Sequence, residues 1–452
     1  MKIKINNLGP IENGTVDLNN RLIIFTGPNN TGKSYLTYLI HGISQYSELT
    51  GFNAVRDSII KLFSGIDSVS KCIKHSKEID LKSLLLENVP QLVQLIAEAT
   101  QNNLPKIFAS QIKASIEIEP GTVRFNDGTD YIKSFSSRNK VLNITTFGGN
   151  KSTQPIRNPY KSIEELMMNS LYVFTLLSVE NMVGKRTYFF PAERTAINLF
   201  AKHITSTKAE IKDELDADLI AGMSDDELGK RLRAQVKAAP KYPYAIREYI
   251  NFVNNFKPST EEGEFAEIAN NMEVALTGGK VHLDQFDQLV FTPKGSAGPL
   301  ELHLSSSLVK SLSYLILYLR YTAKKGDQVI IDEPELNLHP DLQITLARFI
   351  AQMVNGGLKV IISTHSDYLI KQLNNLILLG ELADDEQHSE FVQGQEYVTN
   401  DLLIKAQVGA YFLSEGGIHP IDLAEGLVVP TINDAIRRVD GLAEELFIET
   451  EG

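Results

Sequence analysis

The sequence predicts an α/β fold: a largely parallel sheet flanked by helices, with an antiparallel β portion at the N-terminus and a mixed helical and β insert. Polar and apolar residues alternate through much of the first 20 positions, as in half-buried strands. An apolar strand, a glycine-bearing loop and a helical pattern follow between residues 22 and 43. Beyond residue 304, helical and strand patterns alternate, which is typical of a parallel sheet with helical crossovers.

Composition and charge restrict the class of protein. The chain has 452 residues, of which 43% are hydrophobic and 22% charged, as in globular proteins of two or three domains. It lacks a run of 18 apolar residues and a signal-peptide core, so we expect a cytoplasmic protein without a membrane partner. Cys72 is the single cysteine, which excludes an intrachain disulfide. The formal charge of −12 argues against a surface broadly coated for nucleic acid.

The first element that carries chemistry is the loop GPNNTGKS at 27–34. Its G-x-x-x-x-G-K-S pattern, between a strand and a helix, predicts backbone N–H groups arranged around a phosphate. Lys33 would supply positive charge and the Ser34 hydroxyl would ligate magnesium. The predicted nucleotide-binding residues of this loop are Gly27, Asn29, Asn30, Thr31, Gly32, Lys33 and Ser34. A plain Gly/Asn turn before a helix is the alternative.

A phosphate loop needs an acid at the end of a neighbouring strand, and VIIDEP at 329–334 provides one. Asp332 would hold the magnesium, and Glu333 would accept the proton of the attacking water. Taken alone, D-E-P is also a common turn after a strand. The long stretch of chain before Asp332 predicts inserts, with the acid brought back beside the loop in space.

Four motifs resemble the ABC-type ATPases of the SMC, RecF and OLD group, which are soluble relatives of transporter ATPase subunits. They are GPNNTGKS at 27–34, LSSSLVKSLS at 304–313, VIIDEPELNLHP at 329–340 and IISTHS at 361–366. The opening INNLGPIENGTVDL is similar to the first two strands of this group. The resemblance implies an ABC-type ATPase head with ATP and Mg²⁺ as cofactors.

The resemblance also implies roles for residues outside the loop and the acid strand. His365 would be the switch histidine that contacts the γ-phosphate and orients water, although a purely structural histidine is the alternative. The signature serines would begin a helix that faces ATP on a second subunit; they are Ser305, Ser306 and Ser307. LSSSL replaces a glycine-bearing signature, so which serine makes the contact stays open, and a serine N-cap is equally expected.

Two further segments carry weaker expectations. Glu335, Asn337 and His339 lie where this group has a subunit-contact loop. FFPAERTA at 189–196 is the best candidate for the loop that links the nucleotide to an inserted domain. Within it, Arg194 would either approach a phosphate or form an ordinary solvent-exposed salt bridge.

The motifs divide the chain into parts of one head and its inserts. Residues 1–50 and 186–198 are expected to belong to the head, together with the C-terminal part. An insert with helices and a small β portion is expected at 51–185, and an exposed helical insert at 199–278. Residues 279–452 would supply the signature, the acid strand, the switch histidine and the tail.

The resemblance favours an ATP-gated switch formed by a homodimer or a higher homo-oligomer. Such a switch would sense a protein or nucleic-acid trigger and control a separate effector protein in anti-phage defence. The alternative is an OLD-type ATPase that acts directly on nucleic acid in DNA processing or repair. Asp384, Asp385 and Glu386 are the acids available to a nuclease centre after His365, but they lie in a hydrophilic stretch that is typical of a solvated turn.

Overall fold

The computed structural model describes most of the chain. The described residues are 1–64, 79–120, 132–138, 141–146, 151–155, 168, 171–172, 175, 186–200, 242–296, 298–383, 391, 394, 397–429, 440–443 and 446–447.

Strands and helices alternate along this chain. The strands are β1 (Lys2–Leu8), β2 (Ile11–Asp17), β3 (Leu22–Thr26), β4 (Ile79–Asp80), β5 (Ser115–Glu119), β6 (Ile132–Arg138), β7 (Val141–Thr146), β8 (Lys151–Pro155), β9 (Thr187–Phe190), β10 (Gly279–Leu283), β11 (Leu289–Pro293), β12 (Leu300–Glu301), β13 (Gln328–Asp332), β14 (Lys359–Thr364), β15 (Val408–Ser414) and β16 (Gly417–Pro420). The helices are α1 (Lys33–Ser44), α2 (Tyr46–Thr50), α3 (Phe52–Ser64), α4 (Leu81–Asn102), α5 (Leu104–Phe108), α6 (Tyr244–Asn255), α7 (Ala266–Thr277), α8 (Ser307–Tyr321), α9 (Pro340–Asn355) and α10 (Asp367–Ala383).

A nine-stranded sheet organises the molecule, in the order β5-β1-β2-β16-β15-β3-β14-β13-β9. From β15 to β9 every neighbouring pair is parallel. The pairs β1–β2, β1–β5 and β15–β16 are antiparallel. They lie on the side of the sheet that holds the N-terminal strands β1 and β2. The predicted α/β fold, with a largely parallel core and an antiparallel portion, is therefore confirmed.

The sheet separates two apolar cores because successive side chains of a strand point to opposite faces. In β3, Ile23 and Phe25 enter one core, which also receives α1 and the helices of the predicted first insert. Leu22 and Ile24 enter the other, which is built with α6 to α10. Burial on both faces explains why the parallel strands are continuous apolar runs rather than alternating ones.

The register of the parallel strands brings their carboxyl ends to one edge. Thr26 at the end of β3 is opposite Thr364 in β14. Asp332 at the end of β13 is opposite Ser363, also in β14. The segments that follow these three strands therefore emerge side by side, as the sequence predicts for the loop, the acid and the histidine.

Two parts of the main sheet come from unexpected places. β15 and β16 belong to the tail, yet they lie in the middle of the sheet between β2 and β3. β5 falls within the predicted first insert but forms the outer strand beside β1. Two smaller sheets, β4-β6-β7-β8 and β10-β11-β12, complete the β structure that the structure describes.

The segment predicted as an exposed helical insert, 199–278, contains buried helices. Tyr249 and Val253 of α6 and Met272 of α7 are at most 2% exposed and belong to the second core. Apolar residues at Ile246, Tyr249 and Val253 recur at helical spacing, so the inward face of α6 is visible in the sequence. Residues 201–241 lie outside the described part, and the domain boundaries stay a prediction.

No helix among the described residues is long and apolar enough to cross a membrane.

Candidate functional site

The loop after β3 has the backbone conformation that a phosphate-binding loop requires. Gly27 has φ 138° and Gly32 has φ 97°, a region that side-chain-bearing residues rarely occupy. Asn30, which tolerates the left-handed region better than most residues, has φ 62°. α1 then begins at Lys33, and its N-cap residue Gly32 provides no side-chain hydrogen bond to the first N–H groups of the helix. Such a helix N-terminus favours an anion.

Lys33 lies inside this loop and is 5% exposed. Its Nζ donates hydrogen bonds to the carbonyl oxygens of Gly27, at 2.9 Å, and Pro28, at 2.7 Å. Thr31 Oγ1 also donates to the Pro28 carbonyl, at 2.9 Å. Burial lowers the pKa of Lys33 to about 8, and the nearby carboxylates of Glu333 and Asp332 partly oppose that shift. The ammonium and the loop amides together form a compact positive site.

Asp332 ends β13 directly beside this loop. Its carboxylate accepts a hydrogen bond from the hydroxyl of Ser363, and the hydroxyl of Ser34, at the start of α1, lies close enough to favour its ionised form. The side chain is 1% exposed, and this burial raises its pKa, while the two serine hydroxyls, Arg194 and Lys33 favour the ionised form. Ser34 and Asp332, predicted as magnesium ligands, therefore lie close to each other.

Glu333 follows in a left-handed conformation, with φ 49°. Its backbone N–H donates to the Ser363 carbonyl at 3.0 Å, and its carboxylate is about one-third exposed, at 30%. Burial raises the pKa of Glu333, and the neighbouring carboxylates of Asp332 and Glu335 raise it further. A carboxylate with a raised pKa is a better proton acceptor near neutral pH.

His365 lies beside both the acid and the loop. Its Nε2 lies 3.5 Å from Glu333 Oε1, and its side chain lies close to the backbone of Gly27. Burial lowers the pKa of His365, and Lys33 lowers it further, which favours the neutral imidazole at neutral pH. The order of the three strand ends therefore brings together the loop, both acids and the histidine.

Arg194 has a role that the sequence did not reveal. It is 1% exposed, so it forms no solvent-exposed salt bridge. Its Nη1 donates to the Asp332 carbonyl at 2.7 Å and to the Pro191 carbonyl at 3.0 Å. Its Nη2 donates to the Glu333 carbonyl at 2.7 Å. The guanidinium thus grips the backbone of the acid turn, and no local sequence pattern specifies which carbonyls a buried arginine meets.

Glu335 was expected in a subunit-contact loop, but its described contacts lie within its own chain. Its Oε1 accepts hydrogen bonds from Thr364 Oγ1 at 2.6 Å and from the backbone N–H groups of His365 at 2.8 Å and Ser366 at 3.1 Å. Its Oε2 is buried and has no hydrogen-bond partner among the described residues. The side chain is directed at the turn after β14 inside its own subunit. The second glutamate of DEPE at 332–335 was the available signal in the sequence.

The signature serines lie apart from this cluster. Ser305 Oγ donates to the Leu302 carbonyl at 2.6 Å, and Ser306 is the N-cap of α8, accepting from Val309 N–H at 3.2 Å. Ser306 and Ser307 are exposed. Among the described residues, no hydrogen bond joins these serines to the phosphate loop. The expected serine N-cap is present.

The remaining predicted positions are exposed or lie outside the described residues. His339 is the N-cap of α9 and its side chain is 72% exposed. Asn337 is exposed and donates from Nδ2 to Thr195 Oγ1 at 3.3 Å. The acids of the hydrophilic stretch lie outside the described residues; they are Asp384, Asp385 and Glu386.

The donor set fits Mg²⁺ bound to a nucleotide. Among the described residues, no group of three or more His, Cys, Asp or Glu side chains is arranged to hold a metal ion by itself. Mg²⁺ commonly takes only one or two protein oxygens and completes its shell with phosphates and water. A hydroxyl and a carboxylate close to each other, as in Ser34 and Asp332, provide such a pair.

Comparison with solved structures finds SMC head domains. The head with an extended coiled coil bound to the C-terminal domain of ScpA, from Pyrococcus furiosus, has a TM-score of 0.33 and 11% identity over 98% of each chain. The SMC head domain from Thermotoga maritima has a TM-score of 0.31 and 10% identity, covering 93% of this chain and 98% of that one.

No curated protein matches the sequence. The family model described as an AAA ATPase domain matches residues 1–370. That span holds the phosphate loop, the acid turn and His365, so the predicted ATPase resemblance is confirmed. The chain belongs to the AAA ATPase domain family.

Proposed function

We propose that this protein binds ATP with Mg²⁺ and hydrolyses it. The observation that carries the proposal is the convergence on one sheet edge. The Ser34 hydroxyl lies close to the Asp332 carboxylate, and His365 lies close to Gly27 and 3.5 Å from Glu333. A cradle for phosphate, a magnesium-binding pair and a proton acceptor are the parts that phosphoryl transfer to water needs.

In the proposed reaction the loop amides and Lys33 hold the phosphates of ATP. Bound Mg²⁺, held by Ser34 and Asp332, would neutralise charge on the phosphates. The oxygen of a water attacks the γ-phosphorus, the bond to the β-phosphate oxygen breaks, and Glu333 accepts the proton of the water. His365 orients that water and donates a hydrogen bond to the γ-phosphate. The products are ADP and inorganic phosphate.

We further propose that two copies form the complete site in a head-to-tail arrangement. Ser306 and Ser307 are exposed at the start of α8, a helix of 15 residues, and the N-terminus of such a helix favours anions. They make no described hydrogen bond to their own phosphate loop. In this arrangement each serine helix meets the γ-phosphate held by the other copy, and ATP stabilises the dimer.

The dimer would act as a switch because ATP bridges two copies only in the closed state, so its binding shifts the population toward closure. Closure would present the inserts to a separate effector protein, and a role in defence against phage is the biological setting we propose for it. An acidic chain favours a protein effector over broad nucleic-acid binding.

The test compares Glu333→Gln with Lys33→Ala in the full chain. Removing the proton acceptor should lower ATP turnover by at least about a hundredfold, leave ATP binding intact and prolong the dimer. Removing the ammonium should weaken ATP binding by at least about tenfold, because charge-assisted bonds to phosphate are lost. Turnover, equilibrium binding and size with and without ATP are measured. Unchanged turnover in Glu333→Gln would contradict the proposed role of this residue.

A further inference from the structure

We propose that Arg194 and Glu335 are positioning residues that lock the turn carrying Glu333 to the turn carrying His365. We call this pair the clamp. Neither residue is assigned to bind nucleotide; each acts on the backbone of a segment that does. The role deepens the proposed ATP hydrolysis and rests on it.

The first half of the clamp holds the acid turn. Glu333 has φ 49°, which is a strained conformation for a residue with a side chain. Arg194 donates at 2.7 Å to the carbonyls on both sides of this position, those of Asp332 and Glu333. A planar guanidinium with several fixed donors suits this task better than an ammonium. The guanidinium is buried, and its described hydrogen bonds all go to backbone carbonyls.

The second half of the clamp holds the histidine turn. Glu335 Oε1 receives the N–H groups of His365 and Ser366 and the hydroxyl of Thr364. Three donors on one carboxylate oxygen fix the direction in which the chain leaves β14. The imidazole of His365 is thereby directed toward Gly27 and Glu333.

The two halves meet because the acid turn connects them covalently. Arg194 fixes residues 332 and 333, and Glu335 lies only two residues beyond Glu333 in the same turn. The positive guanidinium also favours the ionised carboxylate of Glu335. A shift of the acid turn would therefore move the anchor of the histidine turn as well.

The clamp is also attached to the serine helix. Asn198 follows Arg194 by one helical turn, and its Nδ2 donates to the Lys310 carbonyl of α8 at 2.7 Å. Its Oδ1 accepts a hydrogen bond from the buried Tyr249 hydroxyl, at 2.7 Å. The segment that grips the acid turn is thus bonded to the helix that would meet the partner's ATP.

The test uses Arg194→Lys, which keeps the positive charge but loses the planar guanidinium whose Nη1 and Nη2 bind two carbonyls at once. We expect kcat to fall by about tenfold to a hundredfold, as for a misplaced catalytic group, with affinity for a non-hydrolysable ATP analogue nearly unchanged. Hydrogen exchange at the Glu333, His365 and Ser366 amides should become faster. Arg320→Lys is the matched control, because Arg320 is 6% exposed and bonded to Asn270, Glu273 and Val281, none of which belongs to the proposed site. It should lose comparable thermal stability yet retain wild-type kcat.

Glu335 provides an independent variant should Arg194→Lys not fold. Glu335→Ala removes the acceptor and should lower kcat by at least about tenfold, whereas Glu335→Gln keeps an acceptor oxygen and should restore part of it. Equal kcat for Arg194→Lys and Arg320→Lys, or wild-type kcat for Glu335→Ala, would overturn the clamp. A wild-type protein without ATP turnover would instead refute the proposed function, and amide exchange would still decide whether the two turns are held in this way.

Discussion

At the scale of single residues, the site depends on one strained position. A left-handed, non-glycine residue costs about 1–3 kcal/mol and persists only where the surroundings impose it. At Glu333 they do so through the Ser363 carbonyl, which accepts its N–H, and through Arg194, which binds its carbonyl. The strained turn leaves Glu333 partly exposed beside His365 while Asp332 remains buried. Two adjacent acids thereby receive different environments, which suits their different proposed roles.

His41 gives a prediction about stability and pH. It is 1% exposed, contacts the rings of Phe189 and Tyr244, and has an Nδ1 without a partner among the described residues. Burial lowers its pKa to about 3, so protonation favours the unfolded chain, where the pKa is 6.5. The stabilising effect of neutral His41 is present above the unfolded pKa and is lost as the pH falls below it. The free energy of unfolding should drop by roughly 2 kcal/mol from this group between about pH 7.5 and about pH 5.

The measurement is denaturant unfolding at both pH values for the wild type and His41→Leu. The variant lacks the titrating group, so its stability should fall less on acidification. His339→Gln, at a histidine with an exposed side chain, is the control and should follow the wild type. Identical acid sensitivity in His41→Leu and the wild type would contradict the assignment.

The residues of the proposed catalytic site were largely predictable at this scale, whereas the residues that hold them in place were not. Lys33, Asp332 and His365 are recognisable because they lie within short motifs whose residue types are typical of phosphate binding. Arg194 and Glu335 act on backbone groups distant in sequence or on a neighbouring turn, and such contacts exist only once the strands are paired. Local patterns carry no information on those pairings.

At the scale of elements, the phosphate loop depends on a strand from the tail. A Cβ on Gly27 would lie 2.2 Å from the Leu413 carbonyl oxygen in β15, a distance that no neighbouring backbone tolerates. Gly27→Ala should therefore displace the loop or the strand, costing about 1–3 kcal/mol for the strained φ alone. Thermal unfolding and binding of an ATP analogue test this, with at least about a tenfold loss of affinity expected.

Gly298→Ala is the control for this substitution, since a Cβ there meets no described atom within 4 Å. It should preserve both stability and affinity. Equal behaviour of the two variants would show that the loop is not constrained by β15.

The sequence predicts whether a segment forms a helix or a strand better than it predicts which elements that segment pairs with. The strand, loop and helix at the N-terminus and the alternation after residue 304 are present as expected. The alternating SIEIE is equally compatible with a small insert and with the sheet edge that it forms as β5. Pairing of β15 with β3 joins segments nearly the whole chain apart, and only the complete sheet determines it.

At the scale of the whole molecule, the proposed dimer would make each chain contribute to two different sites. The loop, the acid turn and His365 lie at one sheet edge, while the exposed serines of α8 make only local hydrogen bonds. A head-to-tail pair would join each cluster to the serines of the other copy. If the two copies are related by a two-fold axis, such an arrangement is self-complementary and would close after two subunits, as a dimer.

Mixing inactive variants tests this arrangement. Ser306→Asp keeps an N-cap residue but places a negative charge against the γ-phosphate, and Lys33→Ala removes the ammonium, so each protein alone should be inactive. In a mixed dimer, one site combines the intact loop of the Ser306→Asp variant with the intact serine of the Lys33→Ala variant. Random pairing of equal amounts should then restore about a quarter of wild-type turnover, given two-fold pairing. Lys33→Ala mixed with Glu333→Gln is the control and should stay inactive, because both groups serve the same loop. Restoration in both mixtures, or in neither, would rule out a serine supplied by the second copy.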